Sequence, residues 1–194
     1  MSKKNERNTK GRIINAAWDL FYEQGYDDTT VEEIIERSGT SKGSFYHYFE
    51  GKDALLGSLS YIFDEEYENL RDNMPEKMDS FDKLLYLNEK LFAMVENRID
   101  IELLKRLYST QLVTKGEKHL LDSKRVYYKL LKAIATEGQE AGELTDKMSV
   151  KEIVKLYALC ERALLYDWCL CNGEYSLKQY AKNVMPMFLK EIKV

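Results

Sequence analysis

Apolar residues recur three and four positions apart along most of this 194-residue chain, which is the period of amphipathic helices. No alternating run typical of a half-buried strand stands out, and only two prolines, Pro75 and Pro186, are present to interrupt helices. The pattern therefore predicts an all-α fold of about nine helices. Six of these helices are predicted beyond residue 52, over 53–73, 80–97, 100–113, 120–142, 149–171 and from 176 onward.

The segment that begins at Thr30, TVEEIIERSGTSKGSFYHYFEGK, predicts two short helices separated by a tight turn. Thr30 can cap the first helix while Glu33 bonds back to it, which is the reciprocal pattern of a capping box. Gly39 can adopt the positive φ that ends this helix, and Thr40 or Ser41 can cap the next one. Because the turn is short, the two helices must cross steeply, as in a helix-turn-helix unit.

The second of these helices has an apolar face and a polar face. Phe45 and Phe49 lie four residues apart and are expected to face inward, whereas Lys42 and Tyr46 lie elsewhere on the cylinder. A lysine can bind guanine or a phosphate, a tyrosine hydroxyl can reach a base edge or a phosphate, and Gly43 lets the backbone approach closely. The second helix is therefore suited to enter a DNA groove.

These residues resemble the TetR family of bacterial transcriptional regulators, whose usual pattern here is S-K-G-x-x-Y-x-x-F-x-x-K. Every fixed position matches, and the residues stand here as Ser41, Lys42, Gly43, Tyr46, Phe49 and Lys52. The resemblance covers roughly the first third of the chain, from Arg12 to Leu56. It implies a three-helix DNA-binding domain over 1–52, followed by a helical ligand-binding and dimerisation domain over 53–194.

The family's pattern also implies which side chains contact DNA. His47 and Tyr48 stand where the family often has tyrosine and then histidine, so the phosphate contact of the first position is expected to pass to His47. Tyr48 lies close to Phe45 and Phe49, and packing in the core is an equally good interpretation of it. The predicted DNA-binding residues are Thr30, Ser41, Lys42, Gly43, Ser44, Tyr46, His47 and Lys52.

The overall charge argues against a strongly basic nucleic-acid binder, because the chain carries −4 and has a pI of about 5.4. Residues 1–12 nevertheless hold five basic side chains against one acidic one, a local charge of +4. This segment is expected to be a poorly ordered arm that either reaches the adjacent groove or backbone or remains a solvated tail. Glu32, Glu33 and Glu36 are expected to point away from DNA. DNA binding is therefore expected to involve few phosphate contacts per subunit and to depend only moderately on salt concentration.

Several functional classes are disfavoured by what the sequence lacks. No signal peptide or apolar run of membrane length is present, so a soluble cytoplasmic protein without a membrane partner is expected. Cys160, Cys169 and Cys171 share no metal-ligand spacing with histidines, so buried reduced thiols are expected, with no metal and no cofactor. A Gly-rich phosphate loop, a G-x-S-x-G elbow and an H-E-x-x-H helix are all missing, which argues against an enzyme. His119 is expected to be a surface residue.

The predicted helix 149–171 is the least polar in the chain, since only four of its residues between Ile153 and Cys171 are charged. A helix that is apolar around most of its circumference must be covered on more than one side. In the TetR family the last two helices of each subunit form a four-helix dimer interface, and this helix and the last one resemble that pair. The resemblance implies a homodimer. Each subunit would present the second helix of its helix-turn-helix unit, called the reading helix below, to one half of a palindromic DNA site.

The larger domain also holds ten of the fourteen tyrosines, which suits a pocket for a flat or amphipathic small molecule, although aromatic residues at helical spacing also form ordinary cores. Glu161 projects on the same face as Tyr157 and Trp168. A carboxylate on an aromatic face needs a partner, which is either a cationic or amine-bearing ligand or an ion pair across the dimer. The predicted ligand-binding residues are Tyr127, Tyr157, Glu161 and Trp168.

The sequence therefore predicts a ligand-responsive DNA-binding transcriptional regulator. As a repressor, the ligand-free dimer binds a double-stranded operator, and a small-molecule effector releases it by moving the helix that begins near Asp53. The alternative is a helical adaptor of the same fold that acts through protein contacts without binding DNA. The acidic balance of the chain and Glu50 beside the reading helix favour this alternative.

Overall fold

The computed structural model of the protein describes residues 3–75, 77–113, 115 and 118–194. These residues form an all-α fold, as predicted, with ten α-helices and two single-turn 3₁₀ helices at His119–Leu121 and Lys190–Ile192. The helices are α1 (Lys3–Gln24), α2 (Val31–Ser38), α3 (Lys42–Tyr48), α4 (Lys52–Leu56), α5 (Leu59–Asp72), α6 (Ser80–Arg98), α7 (Ile101–Val113), α8 (Val126–Glu140), α9 (Val150–Leu170) and α10 (Leu177–Phe188).

The first three helices pack together around a small apolar core. Ile13, Ala17 and Phe21 line one face of α1, and this face is fully or almost fully buried against Ile34 of α2 and Phe45 of α3. The helix α1 begins at Lys3, so the prediction of a poorly ordered arm is wrong from that residue onward. The segment that was predicted as an arm forms the first turns of α1.

The predicted helix 53–73 is two helices, α4 and α5, which accounts for ten helices in the described chain where about nine were predicted. The break lies at Gly57 and Ser58. A side chain at position 57 would place its Cβ 2.7 Å from Cδ2 of His119, so glycine is required for the close approach of the 3₁₀ turn His119–Leu121. The Ser58 hydroxyl accepts a hydrogen bond from the indole nitrogen of Trp18 at 2.8 Å, which ties the break to α1.

The helices of the larger domain otherwise begin and end within a residue or two of their predicted positions, with one exception. The predicted helix 120–142 begins only at Val126, because residues 119–121 form a 3₁₀ turn and the chain is extended at Arg125. The Arg125 guanidinium binds Asp64 of α5 at 2.9 Å and the carbonyl of Ser60 at 3.0 Å, and these bonds hold the start of α8 against α5.

The helix α9 occupies the centre of the larger domain, as its apolar composition predicts. It packs against α7, α8 and α10, and α10 packs in turn along α6. A capping box between Ser149 and Glu152 fixes its N-terminus. Glu161 lies midway along α9 and is directed toward α5, α6 and α8, where its three hydrogen-bond partners lie.

Candidate DNA-binding face and effector cavity

The turn between α2 and α3 is fixed by hydrogen bonds at both of its ends. Gly39 adopts φ 58°, the left-handed conformation expected of it, and its N–H bonds to the carbonyls of Glu36 and Ile35. The guanidinium of Arg12 donates to the carbonyls of Ser38 and Gly39, the latter at 2.7 Å, so α1 clamps the turn from outside. The reading helix therefore has a defined crossing angle before any DNA is present.

The helix α3 separates its two faces as predicted. Phe45 and Phe49 are buried, and Tyr48 is half-buried against the same core. Ser41 caps the helix through the backbone N–H of Ser44 at 3.1 Å, and the two hydroxyls lie 2.9 Å apart. Five of the eight predicted DNA-binding residues form one exposed polar surface on this helix and its cap, namely Ser41, Lys42, Gly43, Tyr46 and His47.

The preceding helix contributes one acidic side chain to this face. Glu32 lies 3.7 Å from the ammonium of Lys42, and both side chains are exposed. The prediction that Glu32 points away from the reading surface is therefore wrong. The physical reason is the steep crossing of α2 and α3, which brings the first turns of the two helices together.

Thr30 is exposed, and its hydroxyl is engaged in the predicted capping box. It accepts from the backbone N–H of Glu33 at 3.2 Å and donates to the Glu33 carboxylate at 2.8 Å. The hydrogen bonds that the Thr30 backbone N–H and the Thr30 hydroxyl donate to the Glu33 carboxylate lower the pKa of Glu33. Thr30 thus fixes the start of α2 and leaves only an acceptor lone pair for a further contact.

Lys52 does not lie where a phosphate contact was predicted. Its ammonium donates to the carbonyls of Tyr26, Asp27 and Thr29 at 2.8, 3.0 and 2.9 Å, which uses all three of its hydrogens. The ammonium also lies 4.6 Å from the centroid of the Tyr26 ring. Lys52 therefore holds the loop between α1 and α2, a role that spacing along the sequence could not reveal.

A small cavity lies inside the larger domain beside Glu161. Its volume is about 40 Å³, space for very few water molecules, so it holds no effector without opening. The lining is almost entirely apolar and aromatic apart from Glu161 and two arginines. The lining residues are Phe63, Tyr67, Leu91, Leu107, Tyr108, Leu120, Arg125, Tyr127, Glu161, Arg162 and Leu165.

The Glu161 carboxylate is 3% exposed and accepts hydrogen bonds from three neutral groups. Tyr127 donates at 2.7 Å, the amide of Asn88 at 3.0 Å and Tyr67 at 3.3 Å. Burial raises the pKa of Glu161, although these hydrogen bonds act in the opposite direction. The carboxylate faces the interior of its own domain, so the alternative of an ion pair across a dimer does not fit the geometry.

Two of the four predicted ligand residues line the cavity and two do not. Tyr127 and Glu161 are part of its wall. Tyr157 is fully buried, and its hydroxyl donates to the carbonyl of Leu84 at 3.0 Å. Trp168 is buried, and its indole nitrogen donates to the carbonyl of Tyr175 at 2.9 Å. Tyr157 and Trp168 are therefore core residues whose polar atoms already have partners. They share a helix face with Glu161, but that face extends beyond the cavity into the packed core of the domain.

An apolar groove of about 500 Å³ adjoins the cavity on the surface of the domain. The groove and the cavity share Tyr108, Leu120 and Arg162 as lining residues, so a single layer of side chains separates them. This layer was not predicted from the sequence, because Tyr108 and Leu120 come together only through the 3₁₀ turn that was predicted as helix. Lys118 and Arg162 are the cationic side chains of the groove.

The outer faces of α9 and α10 carry large apolar side chains that this single chain leaves uncovered. On α9 they recur along one stripe, and on α10 they lie in its first and last turns. They are Leu159, Tyr166 and Leu170 of α9 and Tyr180, Met187 and Phe188 of α10, which are between 46% and 74% exposed.

Other candidate chemistry is limited in the described chain. Cys160 and Cys169 are buried and Cys171 is half-buried, and all three are free thiols.

His119 packs against Gly57 at the junction of the two domains and also borders a cleft there. Among the described residues, no group of three or more histidine, cysteine or acidic side chains is placed to hold a metal ion, and no helix is long and apolar enough to span a membrane.

A helix-turn-helix domain with an exposed polar reading face, joined to a helical domain that encloses a cavity, is the architecture of a ligand-responsive transcriptional regulator. Comparison with known proteins agrees. Residues 13–59 match the model for bacterial regulatory proteins of the tetR family, and residues 63–191 match the model for the C-terminal region of YsiA-like proteins. The chain belongs to the TetR family and is a ligand-responsive, DNA-binding transcriptional regulator.

Individual relatives cover almost the whole chain. The fatty acid metabolism regulator protein of Bacillus subtilis (strain 168) is 23% identical over 185 residues, which are 93% of this chain and 94% of its own. The fold resembles the transcriptional regulator FadR from Bacillus subtilis in complex with stearoyl-CoA, with a TM-score of 0.69, 23% identity and coverage of 94% and 99%. It also resembles the repressor FadR of Thermus thermophilus in complex with lauroyl-CoA, with a TM-score of 0.73, 20% identity and 95% of each chain covered.

Proposed function

We propose that this regulator is a homodimeric repressor that binds a palindromic operator and is released by an amphipathic effector of the fatty acyl thioester class. The single observation that carries the effector class is the apolar cavity, separated from a larger apolar groove by one layer of side chains. The names of the similar regulators, which include complexes with stearoyl-CoA and lauroyl-CoA, point to the same class.

Operator binding rests on the exposed face of α3. Lys42 and Tyr46 are its longest side chains, and the ammonium of Lys42 lies 6.0 Å from the centroid of the Tyr46 ring. Both side chains are exposed and long enough to reach base edges or phosphates in a major groove. His47, which is also exposed, adds a third contact near the end of the helix.

The test of operator binding uses DNA from the gene's own upstream region across a salt series. Wild type is expected to bind specifically, and Lys42→Ala is expected to lower the slope of log K against log salt by about 1 per subunit if the lysine neutralises one phosphate. Tyr46→Ala is expected to weaken binding further, while Lys132→Ala, on the exposed surface of α8, serves as the control. Absence of binding by wild type even at low salt would instead support an adaptor that does not bind DNA, whereas wild-type affinity of the Lys42→Ala/Tyr46→Ala variant would mean that α3 does not contact the DNA.

Dimerisation through α9 and α10 is proposed from their uncovered apolar stripe. A pair of these faces would bury the exposed Leu170 and Phe188. A twofold axis there sets two reading helices at a half-site spacing of about 34–36 Å or a multiple of it. Sedimentation equilibrium measures this directly. Leu170→Glu and Phe188→Glu are expected to give monomers, and a dimer that survives both substitutions would place the interface elsewhere.

Effector entry is proposed to proceed from the groove. Leu159 and Tyr166 line this groove and also belong to the α9 stripe proposed for dimerisation, so the entrance lies beside the dimer interface. Movement of Tyr108 and Leu120 would join the groove to the cavity, so that an acyl chain passes between them toward Phe63 and Leu91. Arg162 stands in the shared wall, where it can meet an anionic part of the ligand, and Glu161 and Tyr127 form the polar floor. A chain that reaches this floor meets a carboxyl group whose pKa is raised by its burial.

The effector test measures release of labelled operator by stearoyl-CoA and lauroyl-CoA, with free coenzyme A as the control. Both thioesters are expected to weaken operator binding, typically by about 5- to 150-fold at saturation. Leu91→Trp is expected to fill the cavity and abolish release while operator binding persists. If neither thioester releases wild type, the effector class is wrong. A cationic ligand such as a quaternary amine, bound by the Glu161 carboxylate, is then the next candidate to assay.

A further inference from the structure

We propose that Arg106 is a positioning residue that couples the effector cavity to the DNA-binding domain, an inference that rests on the effector-released repression proposed above. Arg106 lies on α7 in the larger domain, and its guanidinium contacts the loop between α1 and α2 in the smaller one. Nothing in the sequence pattern distinguishes it from other surface arginines, because its partners are about eighty residues away along the chain.

On the cavity side, Arg106 is followed directly by two wall residues. Leu107 is fully buried, and Tyr108 stands in the layer between cavity and groove. An α-helix moves as a rigid segment over one turn, so an effector that displaces Leu107 and Tyr108 must also displace Arg106. The coupling therefore begins at the residue next to the cavity wall.

On the DNA-binding side, Arg106 binds Asp27 and lies over a buried ring. Its Nη2 lies 2.6 Å from both carboxylate oxygens of Asp27, and its Cζ lies 4.8 Å from the centroid of the Tyr26 ring. Tyr26 is 6% exposed, and its hydroxyl donates to Asp53 at the start of α4. Burial and this hydrogen bond raise the pKa of Tyr26, so the phenol stays protonated and remains the donor.

The loop that Arg106 contacts is itself held rigidly. The Lys52 ammonium binds the carbonyls of Tyr26, Asp27 and Thr29, so the segment 26–29 moves as one body. The next residue, Thr30, is the N-cap of α2. A displacement of Asp27 is therefore transmitted to α2 and, through the clamped turn, to the reading helix α3.

The Arg106–Asp27 pair contributes little to the stability of the fold. The two side chains are 39% and 75% exposed, and exposed ion pairs contribute little to stability in water. Its removal should consequently leave the protein folded and the cavity unchanged. This separates a positioning role from a structural one, since only the response of DNA binding to effector should change.

The first experiment measures operator affinity with and without saturating stearoyl-CoA for wild type, Arg106→Ala and the control Lys105→Ala. Lys105, on the same helix, binds Glu102 and Asn172, which both belong to the larger domain. In Arg106→Ala the effector-induced fold-change is expected to fall toward one, whereas Lys105→Ala keeps the wild-type value. Stearoyl-CoA binding to the DNA-free variant and its thermal unfolding should match wild type. An unchanged fold-change in Arg106→Ala overturns the proposal.

A second experiment keeps the proposal testable if stearoyl-CoA does not release wild type, which would refute only the effector class. Operator affinity is measured without effector for Arg106→Asp, Asp27→Arg and the charge-exchanged double variant. Each single variant is expected to bind operator several-fold more weakly, because a DNA-binding domain that is no longer held by this pair must be ordered when it binds. The double variant carries the same two substitutions, so the double-mutant cycle separates the loss of the ion pair from the effect of the changed charge on DNA binding. The double variant should recover most of the loss. Additive effects in this cycle would overturn the proposal.

Discussion

The indole nitrogen of Trp18 donates a buried hydrogen bond to the hydroxyl of Ser58, and this bond joins α1 to the break at which α4 gives way to α5. The Ser58 hydroxyl donates in turn to the carbonyl of Leu55. The break between the helices is thus a built feature of the domain junction. It supplies the point at which a movement of the larger domain can be passed to α1 without bending a continuous helix.

Loss of this hydroxyl should be measurable as a loss of stability. Ser58→Ala leaves the buried indole N–H without an acceptor, which is expected to lower the free energy of unfolding by about 1–3 kcal/mol. Urea denaturation followed by far-UV circular dichroism measures the change. Ser60→Ala is the matched control, because it removes a similarly buried hydroxyl that bonds to the carbonyl of Gly57. Equal losses in the two variants would argue against a special role for the Trp18 bond.

The turn of the helix-turn-helix unit predicts a second effect. Gly39→Ala forces a side chain into the left-handed region at φ 58°, with its Cβ 2.9 Å from the Arg12 guanidinium. Destabilisation of about 1–2 kcal/mol is expected, together with weaker operator binding, because the clamp on the turn must shift. Thermal unfolding and operator titration measure the two effects. Gly25→Ala, also at positive φ but with open space around its Cβ, should perturb operator binding less.

Removal of the Glu32 charge is predicted to strengthen operator binding. It lies 3.7 Å from the Lys42 ammonium on the reading face, so its negative charge competes with phosphates for that lysine. Glu32→Gln is expected to tighten operator binding modestly, with the gain largest at low salt, where charge repulsion is screened least. Glu36→Gln, one turn further along the same helix, is the comparison. Weaker binding by Glu32→Gln would mean that Glu32 orients Lys42 rather than competing for it.

The buried carboxylate predicts a pH dependence of stability with a definite sign. The folded state raises the pKa of Glu161 above its ordinary value of 4.5, so the folded protein holds that proton more tightly than the unfolded chain does. Its contribution to stability is therefore fully present below that ordinary pKa and is lost as the pH rises through the raised one. Carboxylates with lowered pKa values, such as Glu23 and Glu33, contribute in the opposite sense. The comparison with a variant isolates the Glu161 contribution.

Glu161→Gln keeps the shape of the side chain but removes the titration. Its amide oxygen can still accept from Asn88, while the hydroxyls of Tyr67 and Tyr127 can turn to accept from its amide nitrogen. The unfolding free energy of wild type is expected to decline relative to this variant as the pH rises from the ordinary pKa of 4.5 through the raised pKa of Glu161. Chemical denaturation across that range is the measurement. Parallel pH profiles would show that Glu161 keeps one protonation state throughout.

Much of this architecture follows from local sequence chemistry. The capping box at Thr30, the left-handed Gly39, the inward Phe45 and the exposed Lys42 and Tyr46 all lie within one short segment, and spacing alone placed them correctly. Contacts between distant segments were different. Lys52 was expected to face DNA, but three carbonyls of a loop more than twenty residues earlier bind it.

The cavity illustrates the same limit. A helical projection correctly placed Glu161 among aromatic surroundings, but it also selected Tyr157 and Trp168, whose polar atoms bond to nearby carbonyls in the core. Periodicity reports the face of a helix and not where a cavity along that face ends. Tyr108, Leu120 and Arg125 could be assigned to the cavity only once the packing of α5, α7, α8 and the 3₁₀ turn was known.

The small volume of the cavity beside Glu161 sets a condition on how this regulator senses its effector, because the cavity must widen before the effector can bind. If only the fraction of molecules that have opened can bind, the apparent affinity is the intrinsic affinity reduced by that fraction. Substitutions that ease opening would lower the effector concentration needed for induction, but they would also populate the released form when no effector is present. Sensitivity and tight repression are therefore opposed in this protein, and selection for one would be expected to weaken the other.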